Sequence, residues 1–269
     1  MRIGNKEFDT ENRTYIMGIL NVTPDSFSDG GKFNTIESAL KQTEKMIDEG
    51  ADIIDVGGES TRPGHTVISD EEEISRVVPV IKAIKEKFDV PVSIDTYKSN
   101  VAKAALEAGA DLVNDIWGFK FDPNIAKVTK EFNATCCLMH NRDNTDYTNY
   151  MEDVLDDLRE SIKIALDAGI EKDKIIVDPG VGFGKTYENN LEIINKVERL
   201  KELGFPVLLA TSRKSVIGLT LDLPVDQRVE GTLATTVFGV LKGCSFVRVH
   251  DIKENKRIIT MTEKLLGRF

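Results

Sequence analysis

The sequence has few cysteines and few histidines. Of its 269 residues, three are cysteine and three are histidine. Cys136 and Cys137 are neighbours and, together with Cys244, make an odd number, which is unlike a disulfide framework. The lack of a Cys-x-x-Cys pair and the presence of only three histidines argue against a structural zinc site. We therefore predict buried free thiols in a protein of the reducing cytoplasm.

The sequence also lacks an excess of positive charge and long apolar runs. Lysine and arginine number 35 against 45 aspartates and glutamates, which gives a formal net charge of -10. This balance argues against a nucleic-acid or anionic-membrane partner, which would need clustered basic residues. No apolar run approaches the roughly 18 residues of a membrane span, and residues 1–13 are too polar for a signal peptide. The expected partners are small molecules.

The sequence does contain a regular alternation of short apolar runs and longer segments with helical periodicity. This alternation is typical of repeated βα units around a parallel sheet. Most runs are apolar throughout rather than at every second position, as expected of strands that are covered on both faces. Eight such runs lie at residues 15–20, 53–56, 92–94, 112–113, 135–139, 175–177, 207–210 and 246–249.

Glycines at the ends of predicted helices mark a weak internal repeat. Gly50, Gly109 and Gly169 recur about every 60 residues, close to the length of two βα units. Residues 151–165 carry apolar side chains at the spacing of an amphipathic helix. Eight units without a linker predict one α/β domain over residues 1–269, a (β/α)8 TIM barrel. Residues 3–8 are expected to form a short hairpin at the barrel floor.

Polar residues follow almost every predicted strand. Because a TIM barrel gathers the carboxyl ends of its strands at one rim, these residues are predicted to converge at an active site. In chain order the rim set is Asn21, residues 57–63, Asp95, Asn114, Asp115, Met139, His140, Asp178, residues 212–215, Arg248, His250 and Asp251.

The rim set combines acceptors with cations. Asp95, Asn114 and Asp178 suit a flat heterocycle with several N–H donors, because a carboxylate can accept paired hydrogen bonds from a guanidine-like edge. The basic side chains suit a phosphate or diphosphate arm. These basic residues are Arg62, Arg213, Lys214 and Arg248. The predicted ligand is a 2-amino-4-oxo heterocycle that carries a phosphorylated arm.

Some rim residues also fit other interpretations. Asp115, Glu59 and Asp251 are interpreted as helix caps or turn residues. Residues 180–186 look like a phosphate-binding P-loop, but the first glycine that the motif requires falls on a proline. We interpret this stretch as a glycine-rich turn that lets a flat ligand approach. Lys214 could form a Schiff base as in barrel aldolases, although its arginine and serine neighbours suit anion binding better.

Six segments together resemble the signature of the dihydropteroate synthase family, in the expected order. The first is Met-Gly-Ile-Leu-Asn-Val-Thr-Pro-Asp-Ser-Phe-Ser-Asp-Gly-Gly at residues 17–31, which is long and specific. The other five lie at residues 55–64, 93–96, 178–185, 211–215 and 248–251. The resemblance implies a pterin-binding barrel that condenses 6-hydroxymethyl-7,8-dihydropterin diphosphate with 4-aminobenzoate. The products would be 7,8-dihydropteroate and pyrophosphate, in folate biosynthesis.

The resemblance also assigns roles to individual residues. The pterin would be bound by Asp95, Asn114, Met139, Asp178, Phe183, Lys214 and Arg248. The 4-aminobenzoate would be framed by Thr61, Arg62, Pro63, Phe183, Lys214 and Ser215. The diphosphate would be held by Asn21, Arg248 and His250, with the family's Mg²⁺ on Asn21. The residues implied in catalysis are Asn21, Asp29, Arg62, Lys214, Arg248 and His250. Phe27 and Asp29 lie on the loop after the first strand.

The absence of a convincing His-Asp or Ser-His dyad agrees with an SN1-like reaction. Breakage of the C–O bond first would leave a cation that the electron-rich dihydropterin ring delocalises, so little general-base work is needed. The protein would then mainly stabilise the departing pyrophosphate and hold the cationic ring. The family is also usually dimeric, cytoplasmic and a target of sulfonamides.

Two stretches depart from the family pattern. After the fifth strand, residues 139–146 differ from the Gly- and Pro-containing stretch that is usual in the family. Trp117 lies at a position where the family commonly has a smaller or polar residue. These departures argue against assuming a typical inhibitor profile. Two alternatives stay open at this stage, namely a folate-dependent methyltransferase on the same barrel and a non-catalytic pterin-binding module.

Overall fold

The computed structural model describes residues 1–23, 32–59 and 67–268, with backbone only for 32–35. Five of the expected site residues therefore lie outside the described residues. These are Asp29, Thr61, Arg62, Pro63 and, on the loop after the first strand, Phe27.

Eight parallel strands form the central sheet. Their bounds are β3 Tyr15–Asn21, β4 Ile53–Gly57, β5 Val92–Asp95, β6 Leu112–Asp115, β7 Thr135–Met139, β8 Ile175–Asp178, β9 Leu208–Leu209 and β10 Phe246–Val249. Side by side they run β8-β7-β6-β5-β4-β3-β10-β9. Val177 and Val207 form a parallel bridge, and the Val177 N–H donates to the Pro206 carbonyl at 3.0 Å, which joins β8 to β9. The predicted (β/α)8 barrel is confirmed.

Several strands end one or two residues later than predicted. β3, β4, β5, β6 and β8 each include polar or glycine residues that the sequence placed in loops, because the backbone of those residues still pairs with the neighbouring strand. β9 is shorter than predicted, and the residue two before it, Pro206, has no N–H to offer the ladder. The polar or glycine residues at the ends of these five strands are therefore held by the sheet itself.

Helices surround the sheet and alternate with the strands. They are α1 Lys32–Glu49, α2 Asp70–Lys87, α3 Ser99–Glu107, α4 Ile125–Glu131, α5 Tyr150–Asp167, α6 Tyr187–Asn195, α7 Ser215–Leu221, α8 Val229–Leu241 and α9 Ile252–Leu265. Short 3-10 helices cover Lys172–Lys174, Val197–Leu203 and Val225–Gln227. Gly50, Gly109 and Gly169 follow α1, α3 and α5 with positive φ, as predicted for helix ends. Among the described residues, no helix is long and apolar enough to span a membrane.

The barrel floor is closed by an N-terminal hairpin, as predicted. β1 (Arg2–Ile3) and β2 (Lys6–Glu7) pair antiparallel. Ile3 and Phe8 are buried in a cluster with strand residues that point into the barrel, among them Met17 and Phe246. The Phe8 ring meets Tyr15 edge-on at 4.8 Å between centroids. The hairpin thus fills one end of the barrel, which leaves the opposite end for the polar rim.

Candidate active site

Neighbouring strands bring acidic and amide side chains together at the carboxyl end of the barrel. Asp95 ends β5 in register with Asn114 of β6, and Asp55 of β4 lies in register with Ser93 of β5. All four residues are buried. The Asn114 amide donates to Asp55 Oδ2 at 3.4 Å. Since adjacent strands lie about 4.8 Å apart, these groups form one polar cluster.

Arg248 of β10 reaches into this cluster. Its Nε donates to Asp55 Oδ2 and an Nη donates to Asp95 Oδ2, each at 2.6 Å. The side chain is 17% exposed, so the planar guanidinium presents part of its surface to the cleft. Two carboxylates therefore fix the orientation of one arginine plane at the mouth of the barrel.

Two carboxylate oxygens in the cluster are buried without a partner in the described part of the chain. Asp55 Oδ1 and Asp95 Oδ1 accept no hydrogen bond from any described residue, and the same holds for the hydroxyl of Ser93. Burial raises the pKa of Asp95, Arg248 opposes the rise, and Asp55 adds to it. A buried acceptor without a donor is costly, so its presence indicates a ligand that brings N–H donors to this place.

Asp178 and Lys214 form the other half of the cleft. Asp178 ends β8, and its Oδ1 accepts from the Gly180 N–H at 2.7 Å. Burial raises the pKa of Asp178, while Lys214 is the main group that opposes this rise. Burial lowers the pKa of Lys214 to about 8, against the attraction of Asp178. The Lys214 Nζ donates to the Val181 carbonyl, which places the cation above the glycine-rich turn.

An apolar wall lines the cleft. Met139 ends β7 in register with Asp178 and packs with Tyr97 and Ile116, and Trp117 and Phe183 lie against this group. The Lys214 ammonium lies 5.0 Å from the centre of the Phe183 ring, a cation–π distance. A flat ring held by the acids would therefore have apolar and cationic surfaces on its faces.

The expected diphosphate ligands lie at the rim. Asn21 is exposed at the end of β3, in register with Gly57, which in turn pairs with Asp95. His250 follows β10, and its Nδ1 lies 2.9 Å from the Ser212 hydroxyl. Ser215 is exposed as the first residue of α7. Within the described ranges, no group of three or more His, Cys, Asp or Glu side chains could hold a metal ion.

Arg213, one of the basic rim residues, is paired with an acidic side chain. Its Nε and an Nη donate to the two carboxylate oxygens of Asp251 at 3.0 and 2.5 Å, so its charge is used for a structural ion pair. Asp115 is structural as predicted, because it accepts from the Trp117 and Phe119 N–H groups at 2.8 Å. Glu59 is also structural, since it binds the buried Lys98 ammonium at 2.6 Å.

Sequence reasoning missed two residues of the site. Asp55 belongs to the motif at residues 55–64, and a carboxylate inside an apolar strand run is the sequence signal that indicates its buried role. Lys185 ends the glycine-rich turn, and its ammonium lies 2.7 Å from the His140 ring. A lysine beside a turn looks like an ordinary surface residue in sequence, so its contact with the buried His140 ring could not be predicted.

Comparisons with known proteins identify the relatives of this chain. A sequence profile described as "Pterin binding enzyme" matches residues 17–250. The dihydropteroate synthase of Clostridium beijerinckii is 66% identical over 269 residues, covering 100% of both chains. A dihydropteroate synthase structure from Clostridium difficile, in the presence of pteroic acid, has a TM-score of 0.95 and 52% identity, covering 98% of this chain and 100% of that one. That of Yersinia pestis, with a sulfonamide drug complex, has a TM-score of 0.93 and 38% identity, covering 99% of each.

The fold, the polar cleft and these matches define the class. The chain belongs to the pterin binding enzyme family. Within that family it groups with the dihydropteroate synthases, which are transferases. This membership confirms the resemblance found in the six sequence motifs.

Proposed function

We propose that the chain joins 6-hydroxymethyl-7,8-dihydropterin diphosphate to 4-aminobenzoate, releasing pyrophosphate and 7,8-dihydropteroate. The observation that carries this proposal is the buried cluster of acceptors at the barrel mouth, where Asp95 Oδ1 has no donor among the described residues. Pteroic acid, named with the Clostridium difficile relative, consists of a pterin joined to 4-aminobenzoate.

The pterin edge would be held by Asp95, Asn114 and Asp178. Their buried oxygens can accept from the 2-amino group and the ring N–H groups, and the Asn114 amide can also donate to a ring acceptor. Met139 and Phe183 supply apolar surface for the ring, and Arg248 supplies a planar cation. Lys214 would contribute a further donor beside Asp178.

The diphosphate would lie toward Asn21 at the exposed end of β3 and toward Arg248 and His250 at the carboxyl end of β10. The amide oxygen of Asn21 is a hard donor, which fits Mg²⁺, an ion that usually takes one or two protein ligands and completes its shell with waters and phosphate oxygens. When bound there, Mg²⁺ would neutralise charge on the leaving diphosphate. Arg248 and His250 would hold that group in place.

The 4-aminobenzoate would be framed by Phe183, Lys214 and Ser215, together with residues outside the described part of the chain. The family motif adds Thr61, Arg62 and Pro63 to this set. Ser215 is exposed at the start of α7, on the same side of the cleft as Lys214. A cationic side chain there suits the carboxylate of the arylamine.

The chemical step would be SN1-like. Departure of pyrophosphate leaves a methylene cation delocalised over the pterin, and the arylamine nitrogen then forms the new C–N bond and loses a proton. The carboxylates of Asp95 and Asp178 stabilise that positive charge, while the rim cations stabilise the departing anion. Asp29, from the first motif, would add a carboxylate near the same charge.

Pyrophosphate release tests this function. The purified chain should release pyrophosphate from the pterin diphosphate with Mg²⁺, and 4-aminobenzoate should be consumed in equal amount. Binding of the pterin without any turnover would instead support a non-catalytic module. Methyl transfer from a methylated folate, with no reaction of the diphosphate, would support the methyltransferase alternative.

We also propose that the chain forms a homodimer through α7 and α8. The sequence of α8 is apolar almost all round, yet Phe238 and Leu241 are 37% and 52% exposed, and Leu219 on α7 is 68% exposed. A helix that is apolar on every face is normally covered. Sedimentation velocity should show a dimer for the unmodified chain and for Lys103→Glu on α3, and a monomer for Leu241→Glu.

The reaction is further proposed to take place in the cytoplasm. The three cysteines are buried as free thiols, which agrees with a reducing compartment. A fusion to a fluorescent protein in the source cell would test this location.

A further inference from the structure

A chain of buried polar contacts begins in the loop after β7, the loop that departs from the family pattern. His140 is fully buried, and its backbone N–H donates to the Asp178 carbonyl at 2.9 Å. Its ring Nε2 lies 3.0 Å from Asp157 Oδ2 on α5, and its Nδ1 lies 2.7 Å from Lys185 Nζ. The imidazole thus connects a helix carboxylate to the lysine that ends the glycine-rich turn.

The charges along this chain fix which atom donates. Burial lowers the pKa of His140 to about 4, so the ring is neutral at physiological pH. Its Nε2–H then donates to Asp157, and Nδ1 accepts an N–H of Lys185, a lysine whose pKa is lowered well below its usual value by burial. Arg142 Nε donates to the same Asp157 oxygen at 2.6 Å, which holds the carboxylate in place. Asp157 therefore orients the imidazole toward Lys185.

Lys185 connects the His140 ring to the glycine-rich turn that borders the cleft. Its ammonium also donates to the Phe183 carbonyl at 2.9 Å. The Tyr147 hydroxyl donates to the Gly184 carbonyl at 2.7 Å, from the same loop as His140. Gly180 has a φ of +67°, and a side chain there would collide with the His140 carbonyl oxygen. The loop after β7 and the glycine-rich turn are therefore fitted to each other.

We propose that Lys185 is a positioning residue for the pterin site. By donating to both His140 and the Phe183 carbonyl, it holds the Phe183 ring where the ring borders the pterin. The inference rests on the proposed function, from which the role of Phe183 comes. Lys185 acts through Phe183 and not by contact with the substrate, so its effect should vanish when the ring is absent.

A double-mutant cycle with pteroic acid as the probe tests this inference. Calorimetry should show that Lys185→Met weakens binding about tenfold, the upper end of the loss expected for one hydrogen bond. In the Phe183→Ala background the same change should cost less than about twofold, because coupled residues are not additive. Lys185→Arg, which keeps donors to both acceptors, should restore most of the affinity.

Lys174→Met is the matched control. Lys174 Nζ also donates to a backbone carbonyl, that of Asn133 at 2.5 Å, but it precedes β8 at the opposite end of the strand. Its loss should leave the affinity for pteroic acid unchanged. Circular dichroism and thermal melts show whether each variant is folded. Should Lys185→Met not fold, Lys185→Gln replaces it, because its shorter amide cannot span both acceptors.

The outcomes separate the inference from the function. Equal losses with and without the Phe183 ring, no loss at all, or no restoration by arginine would overturn the positioning role. If the unmodified chain binds pteroic acid and releases pyrophosphate in those cases, the proposed function stands. If the unmodified chain does neither, both the function and the positioning role are wrong.

Discussion

The acidic side chains of the cleft differ in what holds them. Asp55 and Asp95 share the Arg248 guanidinium, whereas Asp178 accepts from the Gly180 backbone and faces the Lys214 cation. Each of these buried carboxyl groups lies beside a fixed donor or cation. A ligand that brings further N–H donors would complete the hydrogen bonding of these carboxyl groups. Their burial therefore favours a role in ligand binding over a role as a general base.

Asp178→Asn should weaken pterin binding by about 2 kcal/mol, because a hydrogen bond to a charged acceptor becomes one to a neutral amide. Calorimetry with pteroic acid measures this change. Asp173→Asn, on the exposed 3-10 helix Lys172–Lys174, is the control and should bind like the unmodified chain. Unchanged affinity of the Asp178 variant would reject its acceptor role.

The fall of kcat/KM at alkaline pH should follow the deprotonation of Lys214. Its pKa is lowered to about 8, so the ammonium is present below that pH and is lost as the pH rises through it. The value of kcat/KM, which reports the free enzyme, should therefore fall above about pH 8. Asp178, Arg248 and Asp95 are the charged groups that act on this lysine.

Lys214→Arg should move this fall to higher pH, because a guanidinium stays protonated. A fall that stays near pH 8 in the arginine variant would assign the titration to another group. The variant also tests for covalent chemistry, since arginine forms no Schiff base. Borohydride should trap no imine on the unmodified lysine.

At the scale of elements, the sequence predicted most of the strands and the amphipathic face of α5. The apolar residues of that face, such as Val154, Leu155 and Leu158, are buried as expected. Strand ends were less predictable, because polar residues there keep their backbone bonds in the sheet. The ion pair of Arg213 with Asp251 joins two separate loops, and no local sequence pattern predicts such a pair.

The N-terminal hairpin gives a stability test that is remote from the chemistry. Phe8→Ala should lower the free energy of unfolding by about 3 kcal/mol, the usual cost of removing a buried aromatic side chain. Urea denaturation measures this loss. Binding of pteroic acid to the folded variant should be unchanged, because the hairpin lies at the opposite end of the barrel. A large change in affinity would show that floor and rim are coupled.

At the scale of the whole molecule, the two ends of the barrel have different roles: the floor contributes stability, and the rim carries the candidate active site. The floor is filled by apolar side chains of the hairpin and strands, and the rim gathers polar residues from strands far apart in sequence. The sequence could predict this division because strand ends converge in any such barrel. It could not predict which rim residues pair with each other, since that depends on side-chain reach across the cleft.

A crystal structure with 6-hydroxymethyl-7,8-dihydropterin diphosphate tests the central claim most directly. We expect the 2-amino and ring N–H groups to lie about 3 Å from carboxylate oxygens of Asp95 and Asp178, with the ring beside Arg248 and the diphosphate toward Asn21. A pterin bound elsewhere, or bound with these two carboxylates uncontacted, would contradict the account.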